Sequence, residues 1–127
     1  MKMLAFAIAV SIALITLVAN PGYGDRAFGF LRYVPGGDTT GHFGLYGLLG
    51  FAVTAAALRA ARTTTRSLGI RVTLLLALVI TLEEFSQAVI PTRTCSFQDL
   101  AASLAGLLVG SFAALRLVVP HTASGVA

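Results

Sequence analysis

Four stretches of this chain are too long and too apolar to lie against water, and they constrain its fold more than any motif does. They run Met3–Ala19, Gly41–Ala61, Gly69–Ile90 and Phe97–Val119. Helix-breaking residues close three of them: Asn20-Pro21-Gly22 after the first, Pro91 after the third and Pro120 after the fourth. A hydrocarbon core of about 30 Å takes about 20 apolar residues as a helix, and each stretch approaches that length. The expectation is an all-α protein, a single domain over residues 1–127 built as a four-transmembrane-helix bundle in the cell membrane. The first stretch also fits a secretory leader, with one lysine, an apolar run and a turn. Cleavage after Ala19 would put Leu17 where a small residue is needed, so a retained span is expected.

Composition excludes the soluble alternatives. Charged residues make up 11% of the chain and hydrophobic ones 57%, whereas soluble domains carry about 25% charged residues. There is not enough charge to cover a soluble core or to keep a disordered chain solvated. Nine basic residues against five acidic ones give a net +4. Without a soluble face on which they could cluster, this does not point to nucleic acid. The single cysteine, Cys95, excludes an intrachain disulfide and a cysteine-rich zinc site, and it reads as a bystander. No metal or cofactor is expected.

Charge then orients the four expected spans. One side holds Lys2, Arg59, Arg62, Arg66, Arg71 and Arg116 with no carboxylate. The other holds Arg26, Arg32 and Arg93 against Asp25, Asp38, Glu83, Glu84 and Asp99. Lysine and arginine in short loops stay in the cytoplasm, so both termini are expected there.

Polar residues near the outer rim are the candidates for function, because ionisable groups at membrane depth are costly. In the third stretch only Val72–Leu82 separate Arg71 from Glu83, about 16 Å of helix. Glu83, Glu84 and Gln87 therefore fall inside the rim. Glu84 and Gln87 share a face, with Glu83 about 100° away, so which glutamate faces the site is open. The fourth stretch opens with Ser96 and Asp99 in capping-box spacing. Asp99, Ser103, Gly106 and Gly110 recur at intervals of 4, 3 and 4, a face of small and polar residues suited to close helix packing. The second stretch opens with Asp38, Thr39 and Thr40, any of which can cap a helix, followed by His42 and Tyr46 on one face. Arg93, in the short connection between the third and fourth stretches, pairs with a nearby carboxylate or offers a planar fork to an anionic group.

In order along the chain, Asp38, His42, Tyr46, Glu84, Gln87, Arg93, Asp99, Gly106 and Gly110 resemble the pattern of the VanZ-like family, named after a protein linked to teicoplanin resistance. Ser96 fits that family's small hydroxyl position. Thr39 stands where the family often has Lys, and Ser103 where it often has Asn, which weakens a headgroup contact and changes a polar contact in the bundle. The resemblance covers about residues 38–110. It implies a four-helix membrane fold and a role near the cell envelope.

The leading functional reading is a protein that binds an amphipathic ligand in an outer-leaflet pocket: a lipid-linked cell-wall precursor, a lipoglycopeptide or a phospholipid headgroup. Asp38, His42, Tyr46, Glu84, Gln87, Arg93, Ser96, Asp99 and Ser103 would form the pocket, with a contribution to teicoplanin-type resistance. A second reading is an intramembrane hydrolase or transferase acting on a lipid-linked phosphate, with His42, Glu84 and Asp99 as catalytic candidates. No nucleophile motif or metal-ligand spacing accompanies them. A proton-coupled transporter is a third, requiring a homo-oligomer to enclose a path. In a fourth, capping, ion pairing and packing account for every polar residue.

Overall fold

The computed structural model describes residues 29–61, 65–89 and 95–119. A short 3₁₀ helix, Gly29–Tyr33, leads into three α-helices: α1 (Gly37–Ala60), α2 (Arg66–Gln87) and α3 (Phe97–Val118). α1 and α3 run parallel and make the principal contact, while α2 returns antiparallel between them in sequence.

Small residues set how closely α1 and α3 approach. A Cβ added at Gly110 would fall on the carbonyl of Gly47, and one at Gly106 on the carbonyl of Phe43. One at Gly50 would lie 2.7 Å from the Leu107 carbonyl oxygen. These backbones touch, as they do where small residues pack helices in lipid. Below the glycines, Thr54 Oγ1 donates to Ser111 Oγ at 3.1 Å in a fully buried pair. Tyr46, Leu49 and Val53 of α1, Val72, Leu76 and Ile80 of α2, and Leu107 of α3 form the apolar core.

Each helix start has its own cause. Thr65 caps α2, accepting from the backbone N–H of Leu68 at 3.4 Å, and Ser96 caps α3. α1 begins without a side-chain cap. Gly36, in the left-handed region at φ 70°, turns the chain into it, and its carbonyl accepts from Thr40 N at 2.9 Å. Asp38, Thr39 and Thr40, read from sequence as candidate caps, therefore lie inside the first turn, which leaves the Thr39 side chain for another partner.

The expected four-transmembrane-helix bundle is not what the described residues form. Among the described residues there are three α-helices, of which two, Thr39–Ala60 and Phe97–Val118, are long and apolar enough to cross a membrane. At about 1.5 Å per residue each covers about 33 Å, enough for the hydrocarbon core. Only 39% of each apolar window is buried, so most of it faces outward, unlike the core helix of a soluble protein. The chain is a multi-pass membrane protein. α2, the expected third span, is not among these two helices because charge enters it from both ends, with Arg66 and Arg71 at one and Glu83 and Glu84 at the other. It is the helix that carries the chain back between the parallel α1 and α3. The expected first span, Met3–Ala19, lies outside the described residues. The topology with both termini cytoplasmic was counted over four spans and loses that footing.

Candidate functional site

The start of α1, the end of α2 and the start of α3 meet at one end of the molecule. The link from α2 is Glu84, a carboxylate only 4% exposed, whose Oε1 accepts from the backbone N–H of Ser96 at 2.9 Å. Ser96 Oγ in turn accepts from Asp99 N at 3.4 Å. In a capping box the residue at the Asp99 position reaches back to the cap's own N–H. Here Glu84 takes that N–H from a neighbouring helix, and the Asp99 carboxylate turns to α1 instead. Its Oδ1 accepts from Thr39 Oγ1 at 3.1 Å.

One turn deeper, Ser103 is 1% exposed and its hydroxyl donates to the Asp99 carbonyl at 2.7 Å. The same oxygen lies 3.1 Å from Nδ1 of His42, which is half-buried. The imidazole stacks on the ring of buried Tyr46, with centroids 5.9 Å apart and planes inclined by 22°. Polar contacts thus run from Glu84 through Ser96 and Asp99 to Thr39, and from Asp99 through Ser103 to His42. Every buried side-chain nitrogen and oxygen among the described residues has a partner.

Of the residues singled out from sequence, the structure brings His42, Tyr46, Glu84, Ser96, Asp99 and Ser103 into this assembly. Asp38 sits in the first turn of α1. Gln87 donates to Glu83 Oε1 at 2.7 Å and so joins the other glutamate, the one four residues earlier on its own helix. Between the two glutamates, it is Glu84 that reaches α3. Arg93 lies outside the described residues. Sequence reasoning missed Thr39 as a contributor. Its spacing of three and seven residues from His42 and Tyr46 puts all three on one helix face, and that is the signal that could have found it.

The arrangement is rich in acceptors, with two carboxylates and a histidine beside three hydroxyls. Among the described residues no three His, Cys, Asp or Glu side chains are grouped to hold a metal ion. Arg59, Arg66, Arg71 and Arg116 lie toward the opposite ends of the helices. Comparison with family models, with curated proteins and with solved structures returned no match.

Proposed function

We propose that the protein is a VanZ-like membrane protein that binds the polar part of a lipid-linked cell-wall precursor or a teicoplanin-type lipoglycopeptide at the meeting of these helix ends. The observation that carries this reading is the hydrogen-bonded assembly itself. It joins three helices through Glu84, Asp99 and His42 at the polar ends of two membrane-length helices. Ionisable groups held at such a depth serve ligands more often than packing. The arginines at the opposite helix ends favour the cytoplasmic side, which puts the assembly toward the outer leaflet. An amphipathic ligand would keep its chain in lipid and offer sugar or amide groups to Asp99, Glu84 and His42, with Arg93 for an anionic group.

The test is photo-crosslinking in nanodiscs with a diazirine-bearing teicoplanin-type lipoglycopeptide and with a diazirine-bearing lipid-linked disaccharide-peptide. Labelling at the α1 and α3 starts is expected, competed by unlabelled ligand. A lost contact of about 1.4 kcal/mol weakens binding about tenfold, so His42→Ala and Arg93→Ala should each reduce labelling by that order. Unchanged labelling in both variants, in protein that retains its helicity, overturns the reading.

A further inference from the structure

The hydrogen bonds around Ser103 decide which nitrogen of His42 carries a proton. A serine hydroxyl has one proton to give and can accept as well. Ser103 Oγ lies 2.7 Å from the Asp99 carbonyl oxygen. Two oxygens at that separation need a proton between them, and a carbonyl has none, so the proton is the serine's. It is then no longer free for the second contact, 3.1 Å away at His42 Nδ1. There the oxygen can only accept, and Nδ1 must donate. In a neutral imidazole one nitrogen is a donor and the other an acceptor, so Nε2 holds the lone pair. The Tyr46 ring stacked at 5.9 Å holds the plane of the imidazole. We infer that Ser103 and Tyr46 are positioning residues that present His42 Nε2 as a hydrogen-bond acceptor, and that the ligand group it takes is a hydroxyl or amide N–H donor, as on a sugar or peptide.

This rests on the proposed ligand site and narrows it. A neutral imidazole with Nε2 unprotonated has nothing to donate to a phosphate oxygen. Its neighbours Asp99 and Glu84 are acceptors as well when ionised. The group recognised at this end of α1 is therefore the donor-rich part of the ligand.

The test is ¹⁵N spectroscopy of the histidine side chain in the full chain in nanodiscs at alkaline pH. The chain has two histidines, so His121→Gln leaves His42 as the sole signal. The expected spectrum has Nδ1 protonated and Nε2 unprotonated. The reverse assignment overturns the inference without any variant at the site. Ser103→Ala should shift the population toward the Nε2–H form that free imidazole side chains favour, and Ser103→Thr should restore the Nδ1–H form. An unchanged tautomer in Ser103→Ala overturns the role of Ser103. Adding a digalactosyl diacylglycerol to phosphatidylcholine nanodiscs, whose headgroup has no donor, should move the Nε2 resonance. A resonance that ignores the glycolipid while lipoglycopeptide crosslinking persists overturns the donor assignment and spares the binding reading. Loss of the crosslinking with the tautomer intact does the reverse for the two ideas.

Discussion

Glu84 accepts the backbone N–H of Ser96 at 2.9 Å, twelve residues ahead of it in the chain. A carboxylate near the first turn of a helix also suits the positive end of its dipole. The start of α3 is thereby completed by α2, and the short connection between them is tied at both ends. The Asp99 side chain, relieved of the reciprocal half of the cap, is the one that reaches Thr39 across to α1.

Removing this tie should cost stability according to what is left behind. Glu84→Ala strands the Ser96 N–H and is expected to cost about 2 kcal/mol, within the range for an unsatisfied donor at a charged partner's site. Glu84→Gln keeps an acceptor oxygen and should lose less than half of that. Denaturation by SDS titration in mixed micelles gives both values. Equal losses would show that the hydrogen bond is not what Glu84 contributes.

Two glycines eight or fewer residues from the site predict opposite outcomes. Gly110→Ala drives a methyl into the Gly47 carbonyl, and backbone cannot step aside as a side chain can. The variant is expected to lose at least about 3 kcal/mol, at the upper end for overpacking. Gly44 has nothing within 4 Å of its added Cβ. Gly44→Ala should be neutral or stabilising by up to about 1 kcal/mol through helix propensity. The same titration compares them, and a tolerated Gly110→Ala would mean the two helices stand farther apart.

Thr54 and Ser111 form a hydroxyl pair at the centre of the α1–α3 contact, with Ser111 also 3.5 Å from the Gly50 carbonyl. A double-mutant cycle of Thr54→Val and Ser111→Ala should give a coupling of about 0.6 kcal/mol, the mean for interhelical hydrogen bonds in membranes. Strict additivity would show that the pair is close without being coupled.

Asp99→Asn retains an oxygen to accept from Thr39 and should keep the fold within about 0.5 kcal/mol of the parent, losing only the favourable dipole contact. Crosslinking of the lipoglycopeptide probe should nonetheless fall, since the charge is what a donor-rich ligand meets. Undiminished labelling would remove Asp99 from the binding surface. Asp99→Ala, which also frees the Thr39 hydroxyl, should lose both stability and labelling.

Much of α1 and α3 was legible because apolar length and terminating residues carry that information locally. The Ser96 cap and the small face through Ser103, Gly106 and Gly110 follow from spacing alone, and that face is buried against α1. The expected third span differs at α2 because an apolar run resuming after Glu83 and Glu84 reads as one stretch, although charge at both ends leaves the helix less apolar than α1 and α3. The Glu84–Ser96 and Thr39–Asp99 bonds join residues 12 and 60 apart. No local pattern encodes such pairs. The spacing that grouped Glu84 with Gln87 was true of the helix face, yet Gln87 had an equally near neighbour in Glu83 and bonded to it.

The parallel pairing of α1 with α3 also governs when the protein becomes itself. Contacts such as Thr54–Ser111 and Gly47–Gly106 close loops of about 60 residues, so each must wait for the intervening chain. During synthesis α1 emerges before α3, against which its glycine face packs, and that contact must wait until α3 leaves the ribosome. A chain stopped before Phe97 keeps Tyr46 under the imidazole but lacks Ser103, the partner of His42 Nδ1. Biogenesis factors that shelter a half-built membrane helix would find their target in that interval.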